Sequence, residues 1–345
     1  MILVNGTSGI GTGYSTNVLQ FNPIDIVKQL KNIINDKDYE ELIPYYRGFA
    51  GTIKKVGDQQ FEVNGCYEII NEDTVHITEI PISLRSMSFE KYKEYLTSIT
   101  ILDKKEDNNK KKVIDYIMKP YNNKVDITVQ FKAGELQRLI KSNELEKYLK
   151  LNSKLSMTNM YLYNSLGKIT KYDSPYEILE DFYNCRKVKY DERKKYYIKV
   201  LENDANIAKY KRQFIEYILS KKVLIEKQKK DTIIDKLKEL KFPRLARKVT
   251  AEDKEKSYQY LIDMPLWSLT FEKIEELKKE AEDIQRILDD YKDKTIEDIW
   301  IQELDEFSKA YNVYIKELDD IRAKEDKLTN KKDKPLKKAK KGKKD

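Results

Sequence analysis

The chain has 345 residues, room for two or three domains of about 100 to 200 residues each, and 40% of them are hydrophobic against 37% charged. With 25 tyrosines and a mean hydropathy of −0.74, this composition suits long amphipathic helices with solvated faces; it excludes a disordered chain, whose mark is scarcity of apolar and aromatic residues. The net charge of +8 is small for 67 basic and 59 acidic residues, and part of it lies in the run Lys331 to Lys344, so a global basic field is excluded and any basic patch must be local.

From the N-terminus, Ile2, Leu3 and Val4 read as a buried strand that begins at the first residue. The stretch Asn5 to Gly13 carries four glycines, which permit left-handed backbone and close approach of another chain, and predicts an ordered loop or tight turn. Pro23, a good first-turn residue, opens a helix to about Asn35. From Gly51 to Ile80, short Val, Ile and Thr-rich runs broken at Gly57-Asp58, Asn64-Gly65 and Asn71-Glu72-Asp73 predict a four-strand antiparallel meander. A helix over Phe89 to Leu102, a strand Val125 to Phe131 and a helix Gly134 to Ile140 follow. A hairpin then pairs Met157–Tyr163 with Lys168–Tyr172 across Ser165-Leu166-Gly167. Residues 1–173 are therefore mixed α+β.

At Asp173-Ser174-Pro175 the character changes, because a cap and a first-turn proline start a helix that runs almost unbroken to about Lys222 (174–222). On it Tyr183, Tyr190 and Tyr197 recur every seven residues, as do Leu201, Ala208 and Ile215. A second helix carries a cleaner heptad, Ile274, Leu277, Ala281, Ile284, Leu288 and Tyr291. The simplest arrangement is a long antiparallel α-helical coiled coil whose first strand spans roughly 70 Å at 1.5 Å per residue. Residues 223–270 form its small helical tip, with a helix over Lys230 to Leu240, the stop Phe242-Pro243 and an apolar cluster from Tyr260 to Leu269. The returning helix and a last amphipathic helix, with the beat Trp300, Leu304, Phe307, Tyr311, Tyr314 and Leu318, fill 271–325. Residues 326–345 read as a disordered lysine-rich tail.

Few motifs point to chemistry. Cys66 and Cys185 stand apart with no partners at metal-ligand spacing, which argues against a disulfide framework or zinc site and fits a reducing compartment. No run approaches about 18 apolar residues and no signal pattern opens the chain, so it is read as neither membrane-spanning nor secreted. His76, the only histidine, sits in Thr74-Val75-His76-Ile77-Thr78 at an exposed strand position, a poor setting for a triad. The glycine stretch fails as a dinucleotide cradle, because the next helix starts some ten residues on. It has two other readings: a structural turn, or a glycine-flanked loop that holds Ile10 between Gly9 and Gly11 as an apolar wedge between base pairs. Arg47, in Tyr45-Tyr46-Arg47-Gly48-Phe49, is either a solvated arginine at a sheet edge or a phosphate contact. The basic clusters Lys187-Lys189, Arg193-Lys194-Lys195 and Lys209-Lys211-Arg212, and the carboxylates Asp289, Asp290 and Asp293, read as the wet faces of the coiled coil.

Taken in order, these segments resemble the type IIA DNA topoisomerases. The resemblance runs from Met1 to about Asp320 and rests on Met1-Ile2-Leu3-Val4-Asn5-Gly6 with Gly9 to Thr16, Phe21-Asn22-Pro23, Tyr46-Arg47-Gly48-Phe49 with Gly51-Thr52-Ile53, and Ile77 to Pro81. It continues through Met157-Thr158-Asn159-Met160, Gly167-Lys168-Ile169, Lys171-Tyr172-Asp173-Ser174, Phe182-Tyr183, Arg193-Lys194, Tyr260 to Thr270 and Ile299-Trp300. Gly11-Thr12-Gly13 looks like the eukaryotic and large-virus branch, while Gly13-Tyr14 and the short tip also look like the subunits of tailed phages.

The resemblance implies the C-terminal part of a breakage-reunion core: an α+β tower, then a long coiled coil ending in a dimer contact that serves as exit gate. In it Ile10 matches the isoleucine that enters gate DNA from the minor-groove side and bends it, with Gly9 and Gly11 beside it, while Met264, Leu266 and Trp267 belong to the gate. The family's nucleophilic tyrosine follows an arginine in an upstream winged helix, and no arginine-tyrosine pair occurs here, so no catalytic or metal-binding residue is expected in this chain. The expected partners are double-stranded DNA, a second copy through the exit gate, and winged-helix, toprim and ATPase portions on separate chains. Mg²⁺ and ATP would be bound by those portions and no cofactor by this one. The implied setting is intracellular, in the nucleus or, for a viral or phage source, the host cell. The chain is then one product of a split gene or a fragment beginning at an internal methionine. An inactive gene fragment, or a structural coiled-coil protein with incidental basic patches, stays open beside it.

Overall fold

The computed structural model describes residues 1–82, 89–101, 111–119, 125–225, 228–247, 256–265 and 269–332. The chain divides into two compact units, Met1–Tyr183 and Asn184–Asp345.

Unit 1 opens with a single helical turn, α1 (Ile2–Asn5), and not with the expected strand. The amides of Val4 and Asn5 both return to the Met1 carbonyl, at 3.1 and 3.0 Å, and Gly6 at φ +63° ends the turn. Three adjacent apolar residues cannot distinguish a strand from one turn of helix, and of the three only Leu3 is buried. The glycine stretch becomes a hairpin, β1 (Thr7–Gly11) and β2 (Tyr14–Val18), closed by the two residues Thr12 and Gly13. Helix α2 (Pro23–Ile34) starts as its sequence indicates: Asn22 caps it by accepting the Ile24 amide at 3.0 Å, and Ile26, Val27, Leu30 and Ile34 face inward.

The predicted meander exists as β3 (Thr52–Gly57), β4 (Gln60–Asn64), β5 (Cys66–Asn71) and β6 (Thr74–Glu79), but it is not one sheet. Between β4 and β5 the chain changes sheets at Gly65. There the amide donates to the Leu151 carbonyl at 2.8 Å, and a β-carbon would lie 2.4 Å from the Glu79 carbonyl oxygen. Helix α3 (Phe89–Ile99), β7 (Val113–Met118), β8 (Ile127–Phe131), α4 (Glu135–Lys141), α5 (Leu145–Tyr148), β9 (Asn152–Ser156), β10 (Met160–Tyr163) and β11 (Ile169–Tyr172) complete the unit. The antiparallel orders are β3-β4-β9 and β5-β6-β8-β7, with β10–β11 a separate hairpin. Strands β6 and β8 alternate: Val75, Ile77, Ile127, Val129 and Phe131 are buried, and α3 and α4 cover them with Tyr92, Leu96, Leu136 and Leu139.

Helix α6 (Pro175–Leu219) crosses the boundary between the units. In unit 2 its end packs with α7 (Lys230–Glu239), the short ribbon β12 (Leu245–Ala246) and β13 (Lys256–Ser257), and α8 (Gln259–Ile262). Helices α9 (Phe271–Asp293) and α10 (Ile296–Lys332) follow. The α9 heptad from Ile274 to Tyr291 is covered at every expected position, most fully at Leu277 and Leu288. Tyr291 meets Tyr197 of α6 edge-on at 6.0 Å, and Lys194 donates to the carbonyls of Lys292 and Lys294. The beat of α10 is only half realised. Trp300 is buried, whereas Phe307 and Tyr314 are 46% and 54% exposed. The architecture is thus a mixed α/β region followed by a long helix and returning helices, in line with the α+β region and coiled coil expected from the pattern and the tower that the resemblance implied. Helix α10 continues to Lys332, into the 326–345 segment that was expected to be disordered from its start, and residues 333–345 of that segment lie outside the described residues.

Candidate nucleic-acid interface

In the β1–β2 ladder Ile10 pairs with Ser15 and Gly11 with Tyr14, which puts Ile10 one pair below the turn. Its side chain is 84% exposed. Gly13 needs its glycine, since its φ is +81°. Gly9 does not: its backbone is not left-handed and an added β-carbon would meet nothing within 4 Å. At Gly11 the nearest atom, the Tyr14 carbonyl oxygen, is an ordinary 3.7 Å away. Neither glycine beside Ile10 is held in place by a backbone angle or a close contact among the described residues.

The hairpin's base is held to residues about 140 positions on. The Asn17 amide donates to the Asn159 carbonyl at 2.7 Å, the Asn17 side chain reaches the Ser156 carbonyl at 3.3 Å, and the Asn159 side chain donates to the Ser15 hydroxyl at 2.8 Å. Tyr14 meets Tyr161 of β10 edge-on, ring centroids 5.7 Å apart. Between the two hairpins lies an open, largely apolar concavity of about 410 Å³, and Ile10 forms part of its wall. The sequence marks Ile10 but not this cleft. Its only local signal is the alternation of Tyr161 with Tyr163, which is equally the mark of any half-buried strand.

Arg47 is in a turn and not at a sheet edge: the Phe49 amide donates to the Tyr46 carbonyl at 3.2 Å and Gly48 supplies φ +84°. It is half-buried. Several basic residues of α6 are paired with acids. Lys187 meets Glu297 at 2.9 Å, Lys189 meets Glu192 at 2.8 Å, Lys195 meets Asp191 at 2.6 Å, and Arg193 bonds Glu303. His76 on β6 lies 3.0 Å from Asp126. Among the described residues no group of three or more His, Cys, Asp or Glu could hold a metal ion, and no helix is long and apolar enough to cross a membrane.

At the tip, Phe214, Val223, Leu237, Phe242, Tyr258, Tyr260 and Leu261 form a core of their own, and Met264 packs against it half-buried. The Tyr260 hydroxyl donates to the Pro243 carbonyl at 2.9 Å, and burial raises its pKa. The apolar cluster is therefore partly absorbed by the unit itself. A bare coiled-coil end would leave it exposed, but here α7 and the Phe242 segment fold over the end of α6. Leu266 and Trp267 lie outside the described residues.

A family described as the DNA gyrase/topoisomerase IV A-subunit matches residues 1–305. Among curated proteins, the chain is 32% identical to DNA topoisomerase 2 of Acanthamoeba polyphaga mimivirus, over 90% of this chain and 29% of that protein. It is 31% identical to DNA topoisomerase 2 of Plasmodium falciparum, over 90% of this chain and 23% of that one. A crystal structure of the Plasmodium falciparum topoisomerase II DNA-binding, cleavage and re-ligation domain superposes with a TM-score of 0.76 at 30% identity, over 91% of this chain and 45% of that chain. The chain spans less than a third of the length of these curated relatives. With an ordered match from its first residue to residue 305 and the same fold across nine-tenths of its length, the chain belongs to the DNA gyrase/topoisomerase IV A-subunit family of type II DNA topoisomerases and corresponds to a region of their DNA-binding cleavage-reunion domain.

Proposed function

We propose that this chain supplies gate-DNA bending and the exit-gate dimer contact to an ATP-dependent topoisomerase that passes one duplex through a double-strand break in another. The observation that carries this reading is Ile10: an aliphatic side chain 84% exposed on a braced hairpin, flanked by two glycines that the fold does not require. A wedge of this kind offsets the unstacking of one base step, which costs a few kcal/mol, and lets the duplex kink toward the major groove. Gly9 and Gly11 allow the backbone to reach the base edges, and Arg47 contributes a phosphate contact. Residues 174–222 and 271–325 carry the coiled coil, and 223–270, with Met264, Leu266 and Trp267, the gate where two copies meet.

The chemistry of strand cleavage belongs to other portions, here assigned to separate chains: a winged helix with the nucleophilic tyrosine, a toprim portion binding Mg²⁺ and an ATPase. In those portions tyrosine attack and metal-assisted phosphoryl transfer would cut the bent duplex. This chain holds the duplex in the bent form that they act on. The setting is intracellular, with DNA, in a nucleus or a host cell.

The test combines the chain with those portions and measures DNA bending by energy transfer alongside a salt titration. Attraction to DNA comes from neutralised phosphates, with a slope of about −0.9 per phosphate contacted, so Ile10→Ala should leave the slope unchanged while lowering the bend and the cleavage yield. A variant that bends DNA like the parent would reduce Ile10 to a turn residue. The chain alone should neither cleave nor relax supercoiled DNA; metal-dependent relaxation by the pure chain would overturn the division of labour.

A further inference from the structure

The wedge stands at the edge of a second feature that the proposed bending does not use. Beside Ile10, the concavity between the β1–β2 and β10–β11 hairpins is lined by Tyr14, Tyr161, Tyr163 and Ile169, and among the described residues no charged side chain lines its wall. Tyr163 at its rim is 73% exposed and Tyr14 is 53% exposed. The far hairpin is held firmly. Asp181 accepts from the Ser165 amide and hydroxyl at 3.3 and 3.1 Å and from the Tyr172 hydroxyl at 2.8 Å, while the Asn164 side chain accepts the amides of Leu166 and Lys168, each at 3.0 Å.

We propose that this aromatic cleft seats the deoxyribose and minor-groove base edge of the nucleotide next to the step that Ile10 opens, with Tyr163 as the contacting side chain. The inference rests on the wedge reading of Ile10 and deepens it. Three observations carry it. An uncharged wall cannot neutralise a phosphate, so the part of a duplex that faces it must be the less polar sugar and base edge. Ile10 is itself part of that wall, so a duplex entered by Ile10 has its flanking nucleotide over the cleft. The bonds Asn17 to Asn159 and Asn159 to Ser15 tie the two hairpins together at their bases, which fixes wedge and cleft in one register. Aromatic faces take any base or sugar, so the cleft favours a distorted duplex without choosing its sequence.

The experiment uses the full chain in the reconstituted complex. With p-benzoylphenylalanine substituted for Tyr163, light should crosslink the protein to C–H bonds of a nucleotide within about two of the opened step, mapped by primer extension. Tyr163→Ala should weaken binding to the bent duplex about fivefold or more without changing the salt slope, and Tyr163→Phe should retain parental binding. If Ile10→Ala reduces the bend but Tyr163→Ala binds like the parent, or the crosslink maps elsewhere, the cleft is wrong and the wedge survives. Should Ile10→Ala leave the bend intact, both readings fall together.

Discussion

Tyr190 of α6 lies flat against Trp300 of α10, ring centroids 4.7 Å apart and planes 19° from parallel. Both rings are buried, and the charges around them close the contact: the Tyr190 hydroxyl donates to Glu303 at 2.5 Å, Arg193 bonds the same carboxylate, and the Arg193 guanidinium sits 4.3 Å from the Tyr190 ring centre. One aromatic pair thus joins the long helix to the last helix. Trp300→Ala should lower the stability of unit 2 by about 3 to 5 kcal/mol, the usual cost of truncating a buried aromatic. Chemical denaturation followed by circular dichroism would measure it; a loss below about 1 kcal/mol would show that the stack is incidental.

The change of sheet at Gly65 depends on the missing side chain. A β-carbon there would lie 2.4 Å from the Glu79 carbonyl oxygen and 3.3 Å from the Ile80 Cα, both backbone atoms that cannot turn aside. Gly65→Ala should therefore destabilise unit 1 by about 1 to 3 kcal/mol, as overpacking does. Gly9→Ala, with open space around it, should leave the melting temperature unchanged. Equal melting temperatures for the two variants would contradict a crossing that needs glycine.

Several tyrosines should ionise late. Burial, and for two of them a neighbouring carboxylate, pushes Tyr46, Tyr95, Tyr172 (beside Asp181) and Tyr190 (beside Glu303) up to about 12. A raised folded-state pKa favours the protonated form in the folded chain. Its stabilising contribution is complete below about pH 10, where unfolded tyrosine is still neutral, and is lost between about pH 10 and 12. Absorbance at 295 nm should show this set ionising only with alkaline unfolding. A single transition near 10, with the circular dichroism intact, would refute it.

The proposed gate makes a claim about assembly. Met264 is partly taken up by the tip's own core, so the contact between two copies should depend chiefly on Leu266 and Trp267, and the full chain should sediment as a dimer. Leu266→Asp together with Trp267→Asp should yield a monomer with unchanged helix content. A wild-type chain that stays monomeric at about 50 µM would remove the gate assignment.

Periodicity along the chain was enough to mark the long helices and the class of the fold. Spacings of three and four from Ile274 to Tyr291 mark a covered stripe wherever the partner helix lies, and Asn22-Pro23 and Thr270 cap their helices through bonds made within one turn. The exposed place of Ile10 beside a tight turn was legible for a local reason too, since a lone aliphatic residue among glycines has no neighbour in sequence to hide it; its role as a wedge stays a proposal. Features set by pairing at long range were not legible. Strand β4 finds its second neighbour, β9, about 90 residues away; Gly65 sends the next strand into another sheet; and the rings of Tyr14 and Tyr161 meet where Asn17 and Asn159 bond across the base of two hairpins. Alternation of polar and apolar residues states that a strand has a buried face, but each face fits many partners. The choice among them is made by packing and hydrogen bonds that exist only once the chain has closed on itself.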